Sequence, residues 1–534
     1  MARVVGAGTD GGHRRERSSA VPRPTARVLV CLVAALMAGL VVAGATGLLT
    51  GSPVGAADNG DGIRTYCAAG LVPATPSGRS NWVGGAVLDF TAGGAPCPDP
   101  VPSSATALLT LAAGDAAGPW SLTTLGWHYL LLVSLVAALA AWAATAAGLV
   151  RALVLVPVVL PLASSDFSRF FLSTYGEPAG LLGAVTLCAG AAALMVTRRG
   201  QRGARWTALL VVSAGGIVAA TAKTAYAPLL LLAVGVCAVT AVTVSSRRRW
   251  LDRVPGPVVA AAALLVSVAP LSAALDWQSR GYPAVNTHNV VFTLVLTEVG
   301  PGAAAPLGLP DDAAAYAGRA YYPDGPAGVP GAELIAADPD AVRNGAWTQL
   351  LMHPGALARA VGTALQATQG RELTYLRSAP WTSQTPLPRP DPPVGEQGAT
   401  ADGLNGWLDG MPLPWWPTLL VVLGIAAGAA AGLARSACVR GLLRLSAVAA
   451  TGALGLAVVA VLGDGYFEIA KHVWLAAYLL DVTTVALAGG VVLLVGAHAR
   501  AVTGNRSERG RMGGERGSLR RAGVPAVDGG PTGG

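Results

Sequence analysis

Long apolar segments separated by short polar loops recur along most of the chain. Ten of them can be delimited, at 27–49, 124–149, 152–164, 179–197, 206–221, 228–245, 256–275, 415–434, 445–462 and 474–497. About 20 apolar residues suffice for a helix to cross the hydrocarbon core of a bilayer. The chain is therefore predicted to be an all-α polytopic membrane protein with about ten transmembrane helices, two of them short.

Arginines mark alternate loops between these segments. They follow the second, fourth, sixth and eighth spans, at Arg151, Arg198, Arg199, Arg202, Arg205, Arg247, Arg248, Arg249, Arg435, Arg440 and Arg444. Because Lys and Arg in short loops stay on the cytoplasmic side, both termini are predicted to be cytoplasmic. The net charge of +8 is explained by these loops, so it gives no indication of nucleic-acid binding.

The composition agrees with a membrane location. Only 12% of residues are charged and 53% are hydrophobic, with a mean hydropathy of +0.52, whereas soluble domains carry about 25% charged residues. The segment 27–49 could be a signal peptide, but its apolar run is longer than a typical signal core. We interpret it as a retained helix.

The spans divide the chain into regions. Residues 1–26 are predicted to be a disordered, basic cytoplasmic tail and 499–534 a second one. The N-terminal membrane helices, 27–275, include a first extracytoplasmic loop at 50–122. An extracytoplasmic insert at 276–413 separates them from the C-terminal membrane helices at 414–498.

Three parts of the insert give local predictions. Asn286–Val299 is apolar and β-branched, and could be a strand or a buried helix. Residues 354–368 have a helical apolar stripe that suits either a membrane surface or the insert's own core. Residues 380–396 are rich in proline and resemble a linker.

Two of the six cysteines, Cys67 and Cys97, share the first polar loop. If that loop is extracytoplasmic, a disulfide between them is plausible. Cys31, Cys188 and Cys237 lie in apolar segments, and Cys438 lies beside one.

Mixed acidic and basic residues gather on the predicted outer face. They belong to four separate hairpins, and they include Asp58, Asp61, Arg64, Asp166, Arg169, Glu177, Lys223, Asp276, Arg280, Asp464, Glu468, Lys471 and His472. Ionisable residues near membrane depth are costly, which makes them functional candidates. Each one alone could equally be a solvated charge at a helix end.

The first loop offers candidate catalytic carboxylates. Asp58 and Asp61 lie three residues apart beside Arg64, so one could be a general base while the other orients it or binds a cation. The alternative is an Asn-Gly and Asp-Gly turn whose acidic side chain supports the backbone.

The other hairpins offer candidate substrate-binding residues. Asp166, Arg169, Tyr175 and Glu177 lie in an aromatic run that suits stacking on a sugar ring or an interfacial belt. Glu468, Lys471 and His472 would share one helical face. The cations Arg64, Arg169, Lys223 and Lys471 are candidates to hold a lipid-linked phosphate.

Asp481 lies two turns inside the last span and is expected to face the bundle or a polar cavity. The sequence contains no CxxC pair, no HExxH and no phosphate-binding Gly-rich loop with a lysine. No cofactor and no metal are therefore predicted, and cytoplasmic nucleotide chemistry is unsupported.

The chain resembles the polytopic GT-C-fold glycosyltransferases, in particular the glycan-biosynthesis hexose-transferase-like proteins of actinobacteria. The resemblance spans residues 27–498. It is carried by Asp58-Asn-Gly-Asp-Gly-Ile-Arg-Thr-Tyr-Cys67, Phe170-Phe-Leu-Ser-Thr-Tyr-Gly-Glu-Pro178, Ala222-Lys-Thr-Ala-Tyr-Ala-Pro228 and Gly463-Asp-Gly-Tyr-Phe-Glu-Ile-Ala-Lys-His472.

The resemblance implies a polyprenyl-phosphate-sugar donor and an extracytoplasmic acceptor glycan. Members of the fold carry an acidic residue in the first extracytoplasmic loop, near the end of the first helix. The resemblance implies that Asp58 or Asp61 is this residue. The third stretch departs from the more polar run expected there.

Two other functions fit the sequence. A flippase or transporter of lipid-linked sugars needs polar groups near the midplane and often shows internal repeats, whereas the charges here lie mainly at one face. A non-catalytic envelope scaffold would leave its charges scattered.

Overall fold

The chain forms a helical bundle of membrane-span length. The computed structural model describes residues 23–519 except 59, 76–84, 245–248, 370–372, 374–375, 377 and 379–412. In these residues, eight helices are long and apolar enough to cross a membrane: Pro24–Ala45, Leu122–Thr145, Glu177–Val196, Arg202–Ala222, Trp250–Ser279, Trp416–Leu433, Ala437–Asp464 and Trp474–Ala499. The all-α polytopic class is confirmed.

The two remaining predicted spans differ from full helices. The segment predicted at 152–164 lies in a pair of helical pieces, Leu149–Ala163 and Ser165–Leu172, bent by 76°. Pro157 and Pro161 lack the N–H that a continuous helix needs. The segment predicted at 228–245 is the short apolar helix Thr224–Ala238. The described part thus contains eight full spans, or nine if the bent pair counts as one.

The helix Glu177–Val196 lies at the centre of the bundle, with every residue except Met195 buried. It packs so closely on the helix Arg202–Ala222 that a Cβ at Gly215 would lie 2.3 Å from the backbone nitrogen of Leu187. Only glycine permits this approach between the two backbones.

The arginine-rich loops meet at the opposite end from the mixed charges. Arg205 donates from Nε to the carbonyl of Ala241 (2.8 Å), and Arg151 donates to the carbonyl of Val196. These bonds satisfy carbonyls at or near helix ends. The helix Trp474–Leu519 continues through the first part of the segment 499–534 that was predicted to be disordered. Most of the tail 1–26 lies outside the described residues.

The first polar loop is a small folded unit. An antiparallel sheet joins Val72–Pro73, Asp89–Ala92 and Gly118–Ser121 in that order. The short helix Ile63–Tyr66 and the helix Ser104–Ala113 flank it. The loop contains the disulfide Cys67–Cys97, with a Cα–Cα distance of 5.2 Å.

The insert 276–413 is helical where it is described. Its helices are Pro283–Asn289, Leu296–Glu298, Ala332–Ala337, Pro339–Met352 and Pro354–Gln366, and a π-helical turn covers Val290–Val295. Asn286–Val299 is therefore buried helix and not a strand. The linker 380–396 lies outside the described residues.

The helix Pro354–Gln366 packs on the insert, as one of its two predicted alternatives has it, and also on membrane helices. It buries Ala356, Ala360, Ala364 and Leu365. It contacts the insert helices Leu296–Glu298 and Pro339–Met352, and it packs on the spans Ala437–Asp464 and Trp416–Ala430. Trp347 also donates from Nε1 to the carbonyl of Leu462 (3.0 Å). The described insert is thus joined to the C-terminal membrane helices.

Candidate functional site

Four segments distant in sequence meet at one end of the bundle. Tyr175 donates from its hydroxyl to the carbonyl of Ala57 (3.0 Å), and Thr65 donates to the carbonyl of Thr174. These bonds join the first loop to the turn before the central helix. Lys223 and Lys471 add the third and fourth segments through the ion pairs described next. We call this group the charged cluster: Asp61, Arg64, Glu177, Lys223, Glu468 and Lys471.

Asp61 is the carboxylate of the cluster that is shared between two cations. Its Oδ2 lies 2.7 Å from Nζ of Lys471, and its Oδ1 lies 3.1 Å from a guanidinium nitrogen of Arg64. Its side chain is 33% exposed, so a ligand can reach it. Burial alone would raise the pKa of Asp61, but Lys471, Arg64 and Lys223 together hold it well below its usual range. Asp61 is therefore ionised at neutral pH.

Lys471 is the buried cation of the cluster, with a side chain only 4% exposed. Its Nζ contacts Asp61 and also lies 3.3 Å from Glu468 Oε2. The same ammonium lies 5.5 Å from the centre of the Tyr175 ring, which is within the range of cation–π attraction. Several partners thus fix the position of this positive charge.

The backbone at Glu468 is strained. Its φ is +44°, a left-handed value that costs a non-glycine residue roughly 1–3 kcal/mol and tends to persist at functional sites. This conformation precedes the short helix Ile469–His472, and it places Glu468 and Lys471 on the same side. The strain is thus located where the cluster is assembled.

Glu177 and Lys223 form the second half of the cluster. Lys223 Nζ donates to Glu177 Oε1 at 3.1 Å, with the two side chains 31% and 3% exposed. Glu177 begins the central helix, whose N-terminus favours a negative charge. Lys471 also attracts Glu177 electrostatically. The cluster holds three carboxylates against three cations, so its net charge is zero.

Asp58 has a different setting from Asp61. Its side chain is buried, and its Oδ1 accepts the backbone N–H groups of Gly60 (2.8 Å) and Gly62 (2.9 Å). This is the geometry of an Asx turn. Between the two predicted catalytic carboxylates, the geometry therefore favours Asp61.

Asp166 and Arg169 contact the insert and the last span. Both are fully buried. Arg169 donates to the carbonyl of Leu376 (3.2 Å) and to the hydroxyl of Ser378 (2.7 Å), while Trp474 donates to the backbone carbonyl of Asp166 (2.9 Å). These contacts fasten the end of the insert to the membrane helices. Burial and these bonds make a substrate contact unfavourable for either residue.

His472 turns away from Lys471. Its Nε2 lies 3.3 Å from Asp464 Oδ2, and Asn289 donates to the other oxygen of Asp464 at 2.7 Å. His472 thus belongs to a contact between the insert and the last hairpin. Of the predicted grouping of Glu468, Lys471 and His472, the contact between Glu468 and Lys471 is present, whereas His472 pairs with Asp464.

Aromatic residues beside Arg64 were not identified from the sequence. The Arg64 guanidinium lies 4.7 Å from the Tyr282 ring centre and 5.9 Å from that of Trp277. The pKa of Tyr282 is raised above its ordinary value, mainly by burial. The positive charge of Arg64 opposes this rise, and the negative charge of Asp61 adds to it. Tyr282 therefore lies within electrostatic reach of the cluster. The signal that could have identified them is the position of Trp277 and Tyr282 just after the predicted outer end of the span 256–275.

Among the residues that the structure describes, no group of three or more His, Cys, Asp or Glu side chains could hold a metal ion.

Comparison with known families adds to this geometry. Residues 17–369 match the model of the YfdI N-terminal transmembrane domain. The chain belongs to this family. It is a family of polytopic membrane proteins related to GT-C-like glycosyltransferases. No curated protein and no solved structure matches the chain.

Proposed function

We propose that the chain is a membrane glycosyltransferase that moves a hexose from a polyprenyl-phosphate-sugar donor to an extracytoplasmic cell-envelope glycan. The observation that carries the proposal is the charged cluster. An ionised, partly exposed carboxylate lies between a buried ammonium and a guanidinium, at the end of the bundle opposite the arginine-rich loops. By the arginine pattern, this end faces the outside.

The carboxylate supplies the base of the proposed reaction. The acceptor hydroxyl attacks the anomeric carbon, the bond from that carbon to the phosphate oxygen breaks, and the hydroxyl proton passes to Asp61. An inverting transfer through an oxocarbenium-like state needs such a base. The products are the extended glycan and the polyprenyl phosphate.

The cations supply the phosphate site. Lys471 and Arg64 both contact Asp61, so a donor phosphate bound to them would share their charge. That sharing would raise the pKa of Asp61 from its low value in the free protein, towards the range in which a carboxylate accepts a proton efficiently. Lys223 provides a third positive charge held by Glu177. The apolar bundle would hold the polyprenyl chain.

Mass spectrometry of envelope glycans and lipid-linked sugars tests the proposal. A deletion strain is complemented with the wild-type gene, Asp61→Asn, Asp58→Asn or Asp340→Asn. Asp340 is the matched control, because it forms a surface ion pair with Arg343 in the insert and is 70% exposed.

We expect the deletion to lose a sugar from an outer glycan while its lipid-linked donor persists. Wild type, Asp58→Asn and Asp340→Asn should restore that sugar, and Asp61→Asn should be made but fail to restore it. Full rescue by Asp61→Asn would refute the assigned role. Accumulation of the donor on the cytoplasmic side alone would instead indicate a flippase.

A further inference from the structure

An open groove lies beside the charged cluster. Its volume is about 610 Å³, within the range of about 300–1,000 Å³ typical of small-molecule sites. Its lining comes from two segments: Asp99, Pro100 and Pro102 in the first loop, and Asp276, Trp277 and Arg280 at the end of the helix Pro255–Ser279. The groove is thus formed between the first loop and a membrane helix.

The lining of the groove has the chemistry that binds sugars. Asp99 and Arg280 are 61% and 62% exposed although they pair at 3.0 Å, so both can exchange this bond for contacts to hydroxyl groups. Carboxylates accept hydrogen bonds from hydroxyls, and a guanidinium donates to them. The Trp277 ring adds a flat apolar surface of the kind on which the C–H face of a pyranose packs.

The groove is held in a fixed orientation. Trp277 donates from Nε1 to the carbonyl of Asp99 (3.2 Å), which restricts its ring. Two residues before Asp99, Cys97 is bonded to Cys67. The backbone N–H of Val101 donates to the carbonyl of Arg64 (3.1 Å). The loop that forms one wall is therefore tied to the segment that carries the cluster, and such preorganisation lowers the cost of binding.

Arg64 connects the groove to Asp61. Its guanidinium contacts the Asp61 carboxylate at 3.1 Å and lies against Tyr282 and Trp277 at 4.7 and 5.9 Å from their ring centres. The two rings are 6.0 Å apart. A chain of sugars seated on Trp277 would therefore end near the base.

We propose that this groove is the subsite for the acceptor glycan, with Trp277 as the stacking surface and Asp276, Asp99 and Arg280 as hydroxyl partners. The inference rests on the proposed function for the identity of its ligand as an acceptor. The glycan lies in the groove and presents its terminal hydroxyl to Asp61 across Arg64.

The alternative role of Trp277 is anchoring in the membrane interface, where tryptophans are common. Trp250 provides a matched control. It lies at the other end of the same candidate span, at Trp250–Ser279, and it is 62% exposed. A purely interfacial role predicts similar effects of both substitutions.

The test uses full-length protein in lipid nanodiscs without donor. The probe is a set of fluorescently end-labelled oligosaccharides released by mild hydrolysis from the envelope of the deletion strain. Fluorescence anisotropy measures their binding to wild type, Trp277→Ala, Asp276→Asn and Trp250→Ala. In parallel, transfer from a short-chain polyprenyl-phosphate hexose gives kcat and the KM for each substrate.

We expect Trp277→Ala to weaken binding about tenfold and Asp276→Asn to weaken it less. Trp250→Ala should bind like wild type. In transfer, Trp277→Ala should raise the KM for the oligosaccharide while the KM for the donor stays unchanged. Asp276→Asn keeps the test decisive if Trp277→Ala folds poorly.

The outcomes separate this inference from the proposed function. If wild type does not bind the oligosaccharides, or if Trp277→Ala and Asp276→Asn both bind like wild type, the subsite is refuted whether or not transfer occurs. Equal weakening by Trp277→Ala and Trp250→Ala also refutes it. If the two groove variants weaken binding but wild type transfers no sugar, the groove stands as a glycan site and the proposed transferase fails.

Discussion

Replacement of Lys471 by methionine tests the electrostatics of the cluster. Methionine fills a similar volume without the charge, and Lys471 is buried between Asp61 at 2.7 Å and Glu468 at 3.3 Å. Hydrogen bonds to charged groups contribute roughly 1.5–3 kcal/mol each. The two carboxylates are 33% and 26% exposed, so water screens them and offsets part of the loss. We expect the free energy of unfolding to fall by about 1–3 kcal/mol at pH 7.

The direction in which stability changes with pH follows from the pKa shift of Asp61. The pKa of Asp61 is lowered in the folded protein from its ordinary value of 3.8. Its pairing therefore stabilises the fold fully above that value, and the stabilisation is lost as the pH falls. Because Asp61 stays ionised at pH 3 in the folded protein but is mostly protonated in the unfolded chain, linkage gives about 1 kcal/mol lost between pH 6 and pH 3, and solvent screening reduces it to about 0.5–1 kcal/mol.

The assay is unfolding of the purified protein in detergent from pH 7 to pH 3, with Lys471→Arg as the control that keeps the charge. The stability gap between wild type and Lys471→Met should narrow as the pH falls. Lys471→Arg should lie closer to wild type at pH 7. A gap that stays constant down to pH 3 would refute the argument that Lys471 stabilises the fold through the ionised Asp61.

Substitutions at three further residues, Gly62, Asp58 and Lys223, test the surroundings of the cluster by the same unfolding assay. Gly62→Ala should lower the free energy of unfolding by about 1–3 kcal/mol, because its Cβ would lie 2.1 Å from Asp58 Oδ2. Gly44→Ala is the control, since a Cβ at Gly44 would meet nothing within 4 Å. Equal effects of the two substitutions would contradict this prediction. Asp58→Ala should lower the free energy of unfolding by about 1–3 kcal/mol. Asp58→Asn should lower it less, since asparagine keeps the oxygen that accepts two backbone N–H groups. Identical stabilities of these two variants would contradict a role of Asp58 in stabilising the turn. Lys223→Met should cost about 2–4 kcal/mol, below the full range for a buried pair because the lysine is 31% exposed. Lys223→Arg should restore most of this loss, and equal stabilities of the two variants would contradict a stabilising charge pair with Glu177.

The membrane class and the gathering of charges at one end could be predicted from sequence. Both follow from properties of short stretches: the length of each apolar segment and the arginine content of each loop. The two segments that differ from full spans are short or contain prolines, as at Pro157 and Pro161. Their hydropathy indicated helices, but hydropathy does not give the bend of 76° or the short length after Thr224.

Side-chain roles within the cluster could not be predicted from spacing. Asp58 and Asp61 lie in the same short stretch, yet one accepts bonds from its own turn and the other pairs with Lys471, 410 positions away. Likewise, Arg169 donates to Ser378 in the insert, 209 positions away. Such partners are set by tertiary packing, which the local pattern does not encode.

The most direct test of the central claim is the rate of hexose transfer by Asp61→Asn in nanodiscs. The donor is a short-chain polyprenyl-phosphate hexose, supplied separately as the mannose, glucose and galactose forms, and the acceptor is the oligosaccharide set from the deletion strain. A general base contributes roughly 10²–10⁴-fold, so we predict a fall in kcat of that size, measured on protein that the unfolding assay shows to be folded at pH 7. Asp58→Asn should keep a rate near that of wild type. Transfer by Asp61→Asn at the wild-type rate would contradict the assignment of this carboxylate as the base.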